Sequence, residues 1–126
     1  MNYHDQIYQA FWQGVVRLVV LHQASQGPIY GGKLSKSLRE QGYAISPGSL
    51  YPLLHLLEKA GFLASRLKVY RGRVRKYYEI TLEGRACLDL LRREVRDLAK
   101  EVILGEDTTP HLSPALPSLP KAEDAD

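Results

Sequence analysis

The most informative hydrophobic pattern lies in the middle of the chain, where four leucines recur at intervals of three and four residues. They are Leu50, Leu53, Leu54 and Leu57. This spacing predicts a helix over residues 46–60 with one buried face. Ser46 and Pro47 are typical of a helix start, with the serine side chain as the N-cap, and Gly61 is typical of a helix end. The opposite, outward face carries Ser49, Tyr51, His55 and Lys59.

A first helix is predicted over residues 5–24, and it carries two apolar stripes. One stripe passes through Phe11 and Val15, and the other through Tyr8 and Trp12. A core of three helices is too thin to cover both stripes, which favours contact of one of them with a second chain. The alternative is that both stripes pack within one protomer.

A second helix is predicted over residues 30–41, after the break at Gly27-Pro28. With the helix over 46–60 it forms a helix-turn-helix pattern. Residues 62–69 and 75–80 then alternate as strands do, and Gly72 lies in the turn between them.

The predicted hairpin is strongly basic. It carries six basic residues and no acidic residue between its first and last cation: Arg66, Lys68, Arg71, Arg73, Arg75 and Lys76. Directly after a helix-turn-helix, such a hairpin indicates a wing whose cations contact phosphates or the minor groove of DNA. A solvated edge strand that is protected by charge is the alternative.

The last predicted helix starts at Thr81 and runs to about residue 104. Its apolar residues follow the 3.5-residue seam of a coiled coil, which predicts a dimer contact. They are Leu88, Leu91, Val95, Leu98 and Val102. The expected fold class is mostly α with a small β-hairpin (α+β), a winged helix-turn-helix with long N- and C-terminal dimerisation helices. Residues 1–81 would form the DNA-binding domain, 82–105 the dimerisation helix and 106–126 a disordered, acidic, proline-rich tail.

Charge is divided unevenly along the 126 residues. Residues 1–105 carry 16 basic and 9 acidic side chains, whereas residues 106–126 carry one lysine and five acidic side chains. The basic part favours a polyanionic partner. No apolar run is long enough to cross a bilayer and no N-terminal signal is visible, so we expect a cytoplasmic protein without membrane contact.

The sequence gives little support for a catalytic or metal-binding site. The four histidines and Cys87 show no metal-ligand spacing, the serines lack a G-x-S-x-G elbow, and Gly31-Gly32-Lys33 is not a phosphate-binding loop. Cys87 lies among apolar helical neighbours and is predicted to be a core residue. The sequence therefore predicts neither an enzyme nor a bound metal or cofactor.

Three motifs together resemble the PadR family of bacterial winged-helix transcriptional regulators, in its short form with one C-terminal helix. Residues 30–34, YGGKL, resemble the family's YGYEL segment. Residues 46–61, SPGSLYPLLHLLEKAG, resemble its SPGTLYPLL…LExxG recognition helix. Residues 75–84, RKYYEITLEG, resemble its RKYYxLTxxG strand and helix start. The resemblance covers roughly residues 14–104.

This resemblance implies a homodimer, joined by its first and last helices, that represses promoters by binding inverted-repeat operators in double-stranded DNA. It implies DNA contacts by Ser46, Gly48, Ser49, Tyr51, Arg73, Arg75 and Lys76. To these we add four candidates beside them: Tyr30, Lys33, His55 and Arg71. The candidate dimer contacts are Phe11, Trp12, Val15, Leu88, Leu91, Val95, Leu98 and Val102.

Two other functions stay open at this stage. One is a ligand-responsive repressor with an effector site among the first-helix aromatics at the dimer interface. Some family members bind aromatic drugs against a tryptophan of the last helix, whereas no aromatic residue follows Tyr78 in this chain. The other is a winged-helix protein-interaction module that does not bind DNA.

Overall fold

Four helices and one antiparallel hairpin make up residues 3–43 and 45–105, which are the residues that the computed structural model describes. The elements are α1 (Tyr3–Ser25), α2 (Gly31–Glu40), α3 (Pro47–Lys59), β1 (Leu63–Tyr70), β2 (Arg73–Ile80) and α4 (Leu82–Val102). The predicted fold class, mostly α with a small hairpin, is confirmed. The predicted tail over residues 106–126 lies outside the described residues.

The core lies where α2 and α3 meet the second half of α1, the base of the hairpin and the start of α4. All four leucines of the α3 pattern are buried, as their spacing predicts. Each fully buried leucine contributes roughly 1.5–3 kcal/mol of hydrophobic stabilisation. This burial fixes the rotation of α3 about its axis, so Ser49, Tyr51, His55 and Lys59 point away from the core.

Ile29 extends the hairpin by one bridge and thereby attaches it to the start of α2. Its backbone N–H donates to the Tyr78 carbonyl (2.9 Å), and its carbonyl accepts from the Tyr78 N–H (2.7 Å). The next residue, Tyr30, is the N-cap position of α2. The bridge therefore places Tyr30 beside β2.

The helix ends agree with the sequence prediction at two places and differ at one. Thr81 caps α4 by accepting from the Gly84 N–H (3.0 Å), and Gly61 ends α3 with a φ of +85°. Ser46 occupies the N-cap position of α3, but its side chain makes no capping bond to the backbone. The Ser46 hydroxyl instead donates to the Ser49 hydroxyl (3.3 Å), so the predicted side-chain cap is wrong.

The hairpin turn is tighter than predicted. Arg71 and Gly72 form a two-residue turn in which both have positive φ, +51° and +76°. This is the combination that a type I′ turn requires, and its twist matches that of the two strands. The sequence placed Gly72 in the turn, whereas the positive φ of Arg71, a residue with a side chain, was not predicted. Both strands extend to the turn, so Arg73 belongs to β2.

The strand register gives the hairpin two different faces, because directly paired residues of antiparallel strands point to the same side. The inner face, which continues from the core, comprises Leu63, Ser65, Leu67, Val69, Val74, Lys76, Tyr78 and Ile80. The outer face comprises Ala64, Arg66, Lys68, Tyr70, Arg73, Arg75, Tyr77 and Glu79. Beyond the core the inner face is apolar but solvent-exposed at Leu67, Val69 and Val74. Four of the six predicted wing cations lie on the outer face.

The first and last helices each divide into a packed half and an exposed half. In α1, Val16 and Val20 are buried, whereas every residue from Tyr3 to Phe11 is exposed. In α4, Cys87 and Leu88 are buried in the protomer core. Leu88, predicted as a dimer contact, is only 1% exposed in the single chain and belongs to its core, unlike Val95, Leu98 and Val102 further along the helix. No described helix is both long and apolar enough to cross a membrane.

Candidate nucleic-acid interface

The N-terminal end of α3 presents small polar groups to solvent. Ser46, Gly48 and Ser49 are exposed, and the Tyr51 side chain projects from the first turns with about half of its surface exposed. Glycine and serine leave space for close approach, and the first N–H groups of the helix lack intrahelical partners. This end of α3 can therefore approach a phosphate or the edge of a base pair.

The Tyr51 ring lies against Gly31 at the first turn of α2. A Cβ atom at Gly31 would overlap the ring carbons and the hydroxyl of Tyr51. The absence of a side chain at Gly31 thus allows the two helices of the helix-turn-helix to meet at this point, and it fixes the direction of the Tyr51 ring.

A ladder of rings and guanidinium groups continues from α2 onto the outer face of the hairpin. The Arg75 guanidinium lies 4.5 Å from the ring centre of Tyr30 and 4.6 Å from that of Tyr70. At the end of the ladder nearest the turn, the Arg71 guanidinium lies 5.3 Å from the ring centre of Tyr70. A hydrogen bond with Tyr77 is the main reason why the pKa of Arg75 is raised above its usual value. The ladder brings Tyr30, Arg71 and Arg75, three predicted DNA contacts, into one row.

The six wing cations are not equivalent. Arg66 pairs with Glu79 on the outer face (2.6 Å), and Lys76 pairs with Glu58 (3.5 Å). Arg71 and Arg75 stack on tyrosines. Lys68 and Arg73 make no ion pair or ring contact with any described residue. Lys68 was counted among the wing cations but, unlike Arg73, was not singled out as a DNA contact. Its alternation with Arg66 and Tyr70 along β1 is the signal that places it on the cationic face.

Lys76 lies on the inner face, opposite to Arg75. Its ammonium is 5.3 Å from the ring centre of the buried Tyr78, and its ion-pair partner Glu58 belongs to the last turn of α3. The same Glu58 carboxylate accepts a hydrogen bond from Ser65 of β1. The structure therefore separates Lys76 from the row that contains Arg75.

Two other predicted contacts lie apart from the ladder. His55 is exposed one turn after Tyr51 on the outward face of α3. Lys33 is exposed on α2, where it lines a cleft of about 420 Å³ between α2 and the end of α1. The cleft also contains His22, Gln23, Gln26, Ser37 and Gln41.

The predicted dimer residues fall into exposed and packed sets. In α1, Phe11 is exposed, Val15 is half-buried, and Trp12 packs edge-to-face on both Phe11 (5.6 Å) and Tyr43 (5.5 Å). In α4, Leu91 packs against the core. The side chains further along, at Val95, Leu98 and Val102, are exposed in the single chain.

A helix-turn-helix followed by a cationic hairpin defines the class of winged-helix proteins, and comparison with known proteins narrows this class. Residues 20–90 match the profile of the transcriptional regulator PadR-like family. The chain is 43% identical over 99 residues to the transcriptional regulator Rv3488 of Mycobacterium tuberculosis, an alignment that covers 79% of this chain and 92% of the relative.

Solved structures agree with this assignment. A PadR family regulator from Eggerthella lenta superposes with a TM-score of 0.71 at 32% identity, covering 83% of this chain and 93% of that one. A PadR-like regulator from Bacillus cereus gives 0.68 at 32% identity, covering 75% and 96%. The chain belongs to the PadR-like family. Its members are transcriptional regulators rather than enzymes, as the sequence analysis predicted for this chain.

Proposed function

We propose that the chain is a homodimeric repressor that binds an inverted-repeat operator in double-stranded DNA. The observation that carries this proposal is the continuous row from the exposed start of α3 through Tyr51, Gly31 and Tyr30 to Arg75 on the wing. A row of hydroxyls and guanidinium groups on one side of a winged helix fits a phosphate backbone beside a major groove.

Within this interface, the start of α3 and the wing have different roles. Ser49 and Tyr51 read base edges, with Ser46, Gly48 and His55 beside them. Arg71, Arg73 and Arg75 contact phosphates, and Lys68 joins them because it lies unpaired on the same face as Arg73. Tyr30 orients Arg75 by stacking, and Lys33 supplies positive charge at the start of α2. Phosphate contacts give affinity and salt dependence, whereas base contacts give sequence preference.

Dimerisation follows from the apolar surface that one chain leaves exposed. Tyr3, Ile7 and Phe11 of α1 are 84%, 73% and 62% exposed, and Val95, Leu98 and Val102 of α4 are also exposed. Apolar side chains in such number on two long helices favour burial against a second copy. A two-fold dimer presents its two recognition helices to symmetric half-sites, which is why the operator should be an inverted repeat. Such a repressor acts on the chromosome in the bacterial cytoplasm.

The test is selection of bound fragments from a random DNA pool, followed by titration of the selected duplex and a scrambled duplex. Recovery of an inverted repeat that binds much more tightly than its scramble is the expected result. A pool that shows no enrichment at low salt would exclude the repressor and favour the protein-interaction module.

A ligand-responsive repressor is the second candidate, and the ring contacts of Trp12 favour it. Trp12 joins the exposed aromatic cluster of Tyr8 and Phe11 to Tyr43, which lies between α2 and α3. A planar ligand among these rings would thus reach the connection that leads into the recognition helix. Quenching of Trp12 fluorescence by a ligand that also releases the operator would support this candidate.

A further inference from the structure

One carboxylate joins the recognition helix to both strands of the wing. Glu58 lies in the last turn of α3, Ser65 on β1 and Lys76 on β2. Glu58 Oε2 accepts from the Ser65 hydroxyl, and Glu58 Oε1 lies 3.5 Å from Lys76 Nζ. The two oxygens therefore serve different strands, and both contacts cross from the helix to the hairpin.

Lys76 is held from two directions. Besides Glu58, its ammonium contacts the ring of Tyr78, which is 5% exposed and anchored in the core. Lys76 points from the inner face of the hairpin. Its neighbour Arg75 points from the outer face and stacks on Tyr30. A phosphate that contacts the Tyr51–Tyr30–Arg75 row lies on the opposite side of the hairpin from Lys76.

We propose that Glu58 and Lys76 are positioning residues that set the angle of the wing relative to the recognition helix, and that Lys76 does not contact DNA. This inference rests on the proposed DNA-binding function and replaces the role that the sequence predicted for Lys76. We name the Glu58, Ser65 and Lys76 contacts the wing clasp.

A small rotation of the hairpin at the wing clasp would displace the turn by a larger distance. Ser65 and the first turn residue, Arg71, lie six positions apart, which is about 20 Å of extended chain. A rotation of the hairpin by about ten degrees at the clasp would displace the turn by about 3.5 Å, more than a phosphate contact tolerates. The hydrogen bond from Ser65 and the charge of Lys76 lower the pKa of Glu58 below its ordinary value, so the carboxylate is charged at neutral pH.

The first experiment compares Lys76→Met with Arg73→Ala by titrating the selected operator at several salt concentrations. Arg73→Ala should reduce the slope of log K against log salt by about 0.9, as loss of one phosphate contact does. Lys76→Met should weaken operator binding about three- to fivefold, in the range of an exposed ion pair, and leave the slope unchanged. A slope that falls by the same amount in both variants would overturn the proposal.

Exchanging the charges of residues 58 and 76 further distinguishes a positioning role of Lys76 from a phosphate contact. Glu58→Lys alone should weaken binding because two cations then repel each other at the clasp. Adding Lys76→Glu restores an attractive pair and should recover most of the lost affinity. If Lys76 contacted a phosphate, the double variant would bind more weakly than Glu58→Lys alone, because its new carboxylate would repel DNA.

A DNA-free measurement keeps the clasp testable even if the proposed function fails. Backbone amide NMR spectra of the wild type and of Glu58→Gln should differ out to residues 68–74 if the wing rotates. Shifts confined to the neighbours of residues 58, 65 and 76 would overturn the proposal. Absence of operator binding in every variant, wild type included, would instead count against the DNA-binding function, and the spectra would still decide the clasp.

Discussion

The Tyr51 ring of the recognition helix rests on the backbone of Gly31, at a site where no side chain beyond hydrogen fits. This contact joins the two helices of the helix-turn-helix at their N-terminal ends. It also leaves about half of Tyr51 exposed for contact with a partner. Gly31 is thus required for the position of another residue, rather than for an unusual backbone angle of its own.

Gly31→Ala should therefore destabilise the protein and weaken operator binding. The new methyl group must displace the Tyr51 ring, and overpacking of this kind costs about 1–3 kcal/mol. Gly32→Ala is the matched control, because its Cβ would meet only an ordinary contact with the Tyr30 ring at 3.5 Å. That change should stabilise α2 by roughly 0.5–1 kcal/mol. Urea denaturation of both variants measures the difference; equal stabilities would contradict the contact.

The unpaired wing cations should account for the salt dependence of binding. Lys68→Ala and Arg73→Ala should each lower the salt slope by about 0.9, since each removes one unpaired cation from the outer face. Arg66→Ala is the control, because Arg66 is already paired with Glu79 at 2.6 Å. Titrations at four salt concentrations measure all three slopes. A large loss of slope in Arg66→Ala alone would reverse this assignment.

Changes at the start of α3 should act on sequence preference instead. Ser49→Ala and Tyr51→Phe should each cost roughly 1–3 kcal/mol on the selected operator and much less on scrambled DNA, as loss of a base contact does. Lys59→Ala, on the same face but in the last turn, is the control and should affect both duplexes equally. If Tyr51→Phe weakened both duplexes equally, the Tyr51 hydroxyl would contact a phosphate rather than a base.

The exposed half of α4 should control assembly. Val95→Glu with Leu98→Glu should convert the dimer into a folded monomer, because both side chains are about half exposed in the single chain and their loss leaves the core intact. Leu82→Glu, an equally drastic change at the exposed start of α4, should leave the dimer unchanged. Sedimentation velocity at micromolar concentration distinguishes the two states. A wild-type monomer would contradict the proposed assembly.

The wing clasp should give stability a specific pH dependence. The pKa of Glu58 is lowered in the folded state from its ordinary value of 4.5, first by the hydrogen bond from Ser65 and then by the charge of Lys76. A depressed folded-state pKa contributes stability above the unfolded value, and this contribution disappears as the pH falls through the folded value. The wild type should therefore be more stable than Glu58→Gln at neutral pH, and the difference should shrink as the pH falls below 4.5 and vanish once the pH lies below the folded-state pKa of Glu58. Equal stabilities at neutral pH would contradict the charged contact.

Every helix and strand was predictable from the sequence because each has a local signal. The leucine spacing of α3, the threonine cap of α4 and Gly72 in the turn all act within a few residues of the positions they determine. The contacts between Glu58 and Lys76 and between Tyr30 and Arg75 join residues 18 and 45 positions apart. These contacts depend on the angle between α3 and the hairpin and on the bridge at Ile29, which no local pattern contains.

Part of what was missed was nevertheless available from the strand pattern. Arg75 and Lys76 are neighbours in one strand, so they point to opposite faces and cannot both contact the same phosphate row. The burial of Leu88 in the core of the single chain was missed for a different reason. Leu88 continues the apolar spacing of Leu91, Val95, Leu98 and Val102, but such spacing does not reveal where a helix leaves the core of its own chain and becomes exposed. That point lies near Leu91, whose side chain still packs against the core.

Because Cys87 is buried, the reactivity of its thiol reports the separation of α4 from the core. Cys87 is the sole cysteine of the chain, and burial raises the pKa of its thiol, so both access and ionisation restrict its reactivity in the folded state. A thiol reagent should modify Cys87 only when α4 separates from the core. The rate of labelling, divided by that of an unfolded peptide, then gives the equilibrium constant for this separation. Performed with and without operator DNA, the same measurement shows whether occupancy of the wing and α3 is transmitted to α4, the helix proposed to join the two subunits.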